Sequence, residues 1–172
     1  FFDMVTYDGT GAGATHNHSL GVEPEMMIIK QRSSTESWIV YHKELYESLT
    51  GNFRLLTLNE DYDPNSNISR LNSTQPTSSV FSVGSDASTA GQTYITHLFA
   101  SLSGISKVGT YTGTTFDLNV DCGFTAGARF ILIKRTDAQG DWFVWDSARG
   151  IFPGTDQYLL LNKTATSVTN TD

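Results

Sequence analysis

The sequence predicts an all-β protein made of two-layer β-sandwich modules that arose by internal duplication, with the second copy incomplete. Short runs rich in β-branched and aromatic residues, bounded by Gly, Pro, Asn, Asp or Ser, are typical of strands. These runs recur at a nearly constant offset along the chain. The only candidate helix is short, at residues 41–48, where Lys43 and Glu47 have i,i+4 spacing.

The duplication rests on four pairs of matching runs. Residues 6–10 (TYDGT) match 110–114 (TYTGT), residues 26–30 (MMIIK) match 130–134 (FILIK), and residues 38–41 (WIVY) match 142–145 (WFVW), each at an offset of 104. Residues 56–59 (LTLN) then match 159–162 (LLLN) at an offset of 103. A register held over this distance predicts one module at residues 1–103 and a second, truncated copy at residues 104–172.

The first copy contains two further runs, residues 77–84 (TSSVFSVG) and 93–100 (TYITHLFA), which have no counterpart in the second. We therefore expect about five to seven strands in the full module and missing closing strands in the other, unless the polypeptide continues or a neighbouring subunit supplies them. Open sheet edges of this kind favour pairing with another chain. The absence of an initiator Met also suggests a piece of a longer protein.

The hydrophobic patterns of two runs suggest two packed layers. The strand at residues 130–134 is continuously apolar, as in a central strand buried on both faces, whereas residues 92–100 partly alternate, as in a strand with one exposed face. Together they favour a two-layer sandwich.

Composition excludes several classes of function. The net charge of −7 and the lack of a Lys/Arg cluster argue against a nucleic-acid partner, which would need cations to neutralise phosphates. The sequence contains no run of about 18 to 20 apolar residues, which is the length that a membrane-spanning helix needs. Cys122 is the only cysteine, so neither an internal disulfide nor a thiolate metal cage can form, and we expect Cys122 to be a small buried residue.

Histidines are the first candidates for chemistry. His16 and His18 have the spacing that places two imidazoles on one face of a strand, where they could share zinc or copper. The second copy has Val120 and Cys122 at these positions, so the repeat does not require a metal, and we predict none. His42 follows a strand and corresponds to Asp146; a polar cap at a strand end is favoured over a catalytic role.

Carboxylates form three groups in loops, and solvated loop acids are favoured over a facing glycosidase pair. The groups are Glu23 with Glu25, then Glu60, Asp61 and Asp63, then Asp137, Asp141 and Asp146. The stretch at residues 61–65 has calcium-like spacing but lacks the loop glycine and the closing glutamate. No phosphate loop, nucleophile elbow or Cys/His pair is present, so we predict no catalytic residue, no cofactor-binding residue and no cofactor.

Aromatic residues could bind sugars if they were exposed, but their repetition in both copies favours core packing. This expectation covers Trp38, Tyr41, Trp142 and Trp145. The loop aromatics Tyr46, Tyr62 and Phe152 remain the candidates for contact with glycans.

Several runs together carry a resemblance to a known family. They are residues 23–30 (EPEMMIIK), 38–43 (WIVYHK), 98–102 (LFASL), 121–125 (DCGFT), 129–137 (RFILIKRTD), 140–146 (GDWFVWD) and 148–150 (ARG). With them the chain resembles, over nearly its whole length, a repeat domain of unknown function found in large virion structural proteins of marine and freshwater phages. The resemblance implies a tail-fibre-like or appendage protein, and it assigns no functional residue.

These observations lead to three expectations for function. The first is a non-enzymatic, extracellular virion module that is structural or adhesive and that associates with itself or with other virion subunits. The second is a domain that binds host-surface glycans. The third is a subunit of an extracellular filament assembled by strand sharing. An enzyme acting on polysaccharide is the least favoured alternative.

Overall fold

The computed structural model describes residues 1–47, 49–66, 68–151, 156–164 and 168–169. The predicted all-β class is confirmed: the chain forms several antiparallel sheets, and the only α-helical turn described, α1, spans Ile68–Leu71. We refer to residues 1–103 as the first segment and to residues 104–172 as the second segment.

The first segment contains nine described strands. They are β1 (Phe2–Asp8), β2 (Ala14–Asn17), β3 (Met26–Gln31), β4 (Ile39–His42), β5 (Tyr46–Glu47), β6 (Asn52–Thr57), β7 (Asn65–Ser66), β8 (Val80–Val83) and β9 (Thr93–Phe99). Strands β5 and β7 have two residues each, so seven strands have four or more. One sheet has the order β1-β9-β3-β4-β6-β5, with β7 beside β6, and a second sheet pairs β2 with β8.

The core lies where alternate residues of the large sheet meet the small sheet. Burial alternates along β3 and β9, so Met27, Ile29, Tyr94 and Leu98 are almost fully buried. Residues of both sheets and of α1 form one buried cluster; it contains Tyr7, Met27, Ile29, Ile39, Tyr41, Phe53, Leu55, Leu71, Phe81, Val83, Ala87, Tyr94 and Leu98.

The second segment contains four described strands, which form a sheet in chain order. They are β10 (Phe130–Lys134), β11 (Trp142–Asp146), β12 (Gln157–Leu160) and β13 (Val168–Thr169). Its pairing register reproduces that of β3, β4, β6 and β7. The pair Met26↔His42 corresponds to Phe130↔Asp146 at an offset of 104. The pairs Ile39↔Thr57 and Leu55↔Asn65 correspond to Phe143↔Leu160 and Tyr158↔Val168.

Hydrogen bonds outside the ladders recur at the same offsets. The Trp38 amide donates to Asn59 Oδ1 at 2.9 Å, and the Trp142 amide donates to Asn162 Oδ1 at 2.9 Å. An asparagine side chain thus links the start of β4 to the end of β6, and the start of β11 to the end of β12, in the same way.

The two segments pack through the outer face of the large sheet. Trp142 is 3% exposed and belongs to a buried cluster with Val40 and Leu56, against which Leu132 also packs. Its indole Nε1 donates to the Thr57 carbonyl at 2.9 Å. The carbonyl of Asp61 accepts from the Gly140 amide at 2.9 Å and from Lys134 Nζ at 3.1 Å. A small apolar contact with a polar border therefore joins the segments.

Two expected elements of secondary structure differ from those observed. Residues 41–47 do not form the expected α-helix: β4 continues to His42, a 3₁₀ turn covers Lys43–Leu45, and Tyr46 pairs with Phe53, while residue 48 lies outside the described residues. An i,i+4 ion pair contributes only about 0.3 kcal/mol, so cross-strand pairing and burial of Tyr41 outweigh it.

The strand predicted around residues 110–114 is also absent. Residues 101–129 are all described and contain no strand, only an isolated bridge between Leu102 and Ser106. In the first segment the corresponding strand, β1, pairs with β9. At the offset of 103 a counterpart of β9 would lie beyond Asp172, so this stretch has no partner within the sequence.

Strand β10 was expected to be central and buried on both faces. Instead it is an edge strand that pairs with β11, and Phe130 is 61% exposed. Its counterpart β3 is central because β9 occupies the other edge. Cys122 was expected to be buried but is only half-buried, because the loop that contains it has no covering sheet.

Candidate functional site

A polar cleft opens at one end of the first segment, where three loops meet the large sheet. Its volume is about 540 Å³. The lining residues are Gln31, Ser34, Glu36, Ser37, Ile39, Arg70, Asp86, Thr89, Gln92 and Tyr94. They come from the end of β3, the β3–β4 loop, the start of β4, α1, the 3₁₀ turn at Ser85–Ala87, the loop before β9 and β9 itself.

The floor of the cleft is held by a chain of hydrogen bonds. Tyr94 is 2% exposed; its hydroxyl donates to Gln31 Oε1 at 3.2 Å and accepts from the Thr89 amide at 3.1 Å. Gln31 Nε2 donates to Gln92 Oε1 at 2.9 Å, and the Ser33 hydroxyl donates to the same oxygen at 2.7 Å. These hydrogen bonds link Tyr94, Gln31 and Gln92 to one another and hold the floor of the cleft in place.

The rim carries charge of both signs. Glu36 and Asp86 are exposed, and Arg70 is half-buried. The carboxylate, amide and guanidinium groups around the cleft can donate and accept hydrogen bonds. Trp38, which follows the lining residue Ser37, is 36% exposed with Lys30 Nζ at 6.0 Å from the centre of its ring.

Nothing in the sequence marks this cleft. Its residues are single side chains spread from Gln31 to Tyr94, and only folding brings them together. Glu36 and Asp86 lie outside all three acidic groups that we singled out. No local pattern marks them.

His16 and His18 have separate structural surroundings. The His16 ring stacks on Tyr7 with a centroid distance of 4.0 Å, and burial lowers the pKa of His16. His18 Nε2 donates to the Thr77 carbonyl at 3.1 Å, while its Nδ1 accepts from the Leu20 amide at 3.2 Å. Within the described residues, no group of three or more His, Cys, Asp or Glu side chains could hold a metal ion.

His42 and Asp146 act as polar caps at equivalent strand ends. His42 Nδ1 accepts from the Glu44 amide at 3.3 Å, and burial lowers the pKa of His42 although Glu44 acts in the opposite direction. Asp146 Oδ1 accepts from the Ala148 and Arg149 amides, each at 3.0 Å. The two side chains close the same turn by the same kind of bond.

Two of the predicted acidic groups meet at the contact between the segments. Lys163 Nζ lies 3.8 Å from an Asp61 carboxylate oxygen and 3.4 Å from Asp141 Oδ1. Burial lowers the pKa of Lys134, although Asp61, Asp141 and Asp63 favour its charged form. Asp61 and Asp141 therefore both form ion pairs with Lys163.

Glu25 is also engaged structurally. Burial alone would raise its pKa, but hydrogen bonds from Lys43 and Ser101 outweigh burial and place the pKa below its usual range. Its carboxylate connects the start of β3 with the end of β9.

The aromatic residues divide between core and surface. Tyr41 and Trp142 are buried, as expected, whereas Trp38 is 36% exposed and Trp145 is half-buried. Tyr46 packs against Phe53. Of the loop aromatics considered for glycans, Tyr62 is 51% exposed, and Phe152 lies outside the described residues.

The fold and the cleft define an all-β protein with a polar cleft at one end of its first segment. A family model for a domain of unknown function (DUF7483) matches residues 1–172, and the chain belongs to this family. No curated protein and no solved structure matches the chain. Among the described residues, no helix has the length and apolarity needed to cross a membrane.

Proposed function

We propose that this chain is a non-enzymatic structural and adhesive module of a phage tail fibre or virion appendage, located outside the cell. In this proposal it consists of two β-sandwich modules, at residues 1–103 and 104–172, that arose by duplication, and the second lacks its closing strands. Its partners are other copies of itself and other virion subunits.

The observation that carries the proposal is the repeated pairing register. Three pairs of adjacent strands in the second segment have the same register as their counterparts 103 or 104 residues earlier. Consecutive units contact each other through Trp142 and the outer face of the large sheet. Stacked units that touch mainly their neighbours are typical of extended structural proteins.

The assembly state tests this proposal. Light scattering measures the mass of the purified chain in solution, and negative-stain electron microscopy shows its shape. We expect trimers or filaments, because an exposed sheet edge can pair with an exposed edge of another copy without either copy giving up a core strand. A stable monomer across concentrations would contradict self-association.

Binding of host-surface glycans is the second candidate, and the polar cleft favours it. The fixed floor of Gln31, Gln92 and Tyr94 and the charged rim match the needs of a polyhydroxylated ligand. A glycan array tests this directly.

Arg70→Ala should weaken the binding of any glycan identified in that way by about tenfold, because Arg70 is the cation that lines the cleft. Arg135→Ala is the matched control, because Arg135 is exposed on the second segment and does not line the cleft. Equal affinities for both variants would place glycan binding elsewhere.

A further inference from the structure

Strands missing from the second segment are those that depend on β8 and β9. In the first segment β1 pairs with β9 and β2 pairs with β8. Their counterparts, residues 106–112 and 118–121, form no strand, whereas the counterparts of β3, β4, β6 and β7 keep their order and register. In the second segment, the strands whose partners lie within the segment are therefore formed, and those whose partners would be counterparts of β8 and β9 are not.

The free edge of β10 has a defined set of backbone groups. The Arg32 amide donates to the Thr93 carbonyl, so even-numbered residues of β3 face β9 in the alternating antiparallel pattern. The Ser147 amide donates to the Arg129 carbonyl, which places odd-numbered residues of β10 toward β11. The N–H and C=O groups of Phe130, Leu132 and Lys134 thus point to the open edge.

The face beside this edge is an incomplete core. Met27, Ile29 and Tyr41 are at most 1% exposed in the first segment. Their counterparts Ile131, Ile133 and Trp145 are all half-buried. Tyr111, the counterpart of the buried Tyr7, is 50% exposed.

We propose that the second segment is an acceptor for one extended polypeptide strand with the pattern of β9, which inserts between residues 106–112 and β10. The first segment defines the occupant, because there β9 lies between β1 and β3. By that register, the residue equivalent to Leu98 lies opposite Ile131 and the residue equivalent to Phe99 lies opposite Phe130. Backbone hydrogen bonds supply affinity, and alternate apolar side chains supply specificity.

A second copy of these 172 residues is not the donor. Each chain holds one β9, and Leu98 and Tyr94 are 0% and 2% exposed in the core of its own first segment. Donating β9 would expose one core in order to fill another. The occupant is therefore a β9-like strand from polypeptide outside these residues. This inference deepens the proposed structural role by naming the kind of partner.

A synthetic peptide with the sequence of residues 77–101, which contains β8 and β9, tests the acceptor in trans with the full chain. We expect saturable binding of one peptide per chain in fluorescence anisotropy. Hydrogen exchange should show new protection at residues 106–112 and at Phe130–Lys134. A peptide carrying Leu98→Asp should bind about tenfold more weakly, because it places a charge in the core. No binding, or binding that leaves β10 unprotected, would overturn the proposal.

Two variants at Phe130 test the edge itself. Phe130→Pro removes the outward N–H at the first residue of the strand, where proline is tolerated, whereas Phe130→Ala keeps it. Because the side chain is 61% exposed, both variants should keep the melting temperature of the chain. We expect the proline variant to lose about tenfold in peptide affinity and the alanine variant to stay within about threefold. Equal binding by both would overturn the proposal; this test does not depend on a virion origin or on self-association.

Discussion

Trp142 provides the sharpest test of how the two segments are held together. Its side chain is 3% exposed, packs with Val40 and Leu56, and donates an indole hydrogen bond to Thr57. Replacing a buried tryptophan by alanine costs about 3–5 kcal/mol, of which the hydrogen bond accounts for about 1 kcal/mol. We therefore expect Trp142→Ala to lower the free energy of unfolding by about 3–5 kcal/mol.

Trp38 offers a matched control because it occupies the equivalent position 104 residues earlier. It is 36% exposed, so its truncation leaves no closed cavity, and we expect Trp38→Ala to cost about 1–2 kcal/mol. Trp142→Phe keeps a ring in the contact and should cost about 1–2 kcal/mol.

Urea unfolding followed by far-UV circular dichroism measures all three variants. In Trp142→Ala we also expect the second segment to unfold before the first, because this contact couples them. Equal losses for Trp142→Ala and Trp38→Ala would refute the argument that burial between the segments determines the cost.

Three further predictions concern the first segment. Burial lowers the folded-state pKa of His16, so the unfolded chain binds more protons once the pH falls below about 6.5, and the melting temperature should fall between pH 7.5 and 5.5. His16→Val, which introduces the residue found at Val120, should reduce that slope in thermal scans. Gly9→Ala should cost about 1–3 kcal/mol in urea unfolding, because an added Cβ would lie 2.1 Å from a backbone oxygen. Gly113→Ala, 104 residues later, has no atom within 4 Å of the added Cβ and should change stability by less than about 0.5 kcal/mol. Glu25→Gln should lower the free energy of unfolding by about 1–2 kcal/mol at pH 7, as measured by calorimetry. Because the folded-state pKa of Glu25 is lowered, the difference in stability between the variant and the unchanged chain should vanish as the pH falls through that pKa. A difference that persists in acid would contradict an ionic role for Glu25.

The fold class could be predicted because strand signals are local. Alternating and continuous apolar runs marked β3, β4, β9, β10 and β11 in the sequence. The edge position of β10 could not be predicted from its own residues, since a strand is central or peripheral according to what pairs beside it. The prediction of a strand near Tyr111 was wrong for the same reason, because a segment with a strand pattern does not form a strand without a partner.

The cleft was beyond sequence reasoning for a different physical reason. Gln31, Arg70 and Gln92 are separated by tens of residues, and each is an ordinary polar residue in its local context. The role of Gly9 is equally invisible in the sequence: the chain at Thr89 approaches it so closely that a side chain cannot fit. Close approach of this kind depends on tertiary structure, which no short motif records.

The central position of β9 affects how the first segment folds while it is being synthesised. Its ladder with β1 pairs Phe2 with Phe99, so β1, the first strand of the segment, cannot pair until β9, the last strand of the segment, has been synthesised. Contacts this distant in sequence slow folding, and until β9 emerges the edges of β1 and β3 stay open. The second segment resembles that nascent intermediate: its inner strands are paired while the stretch before them still lacks a partner. Folding of the first segment should therefore be completed by its final strand, and shortening the first segment before residue 99 should abolish its core.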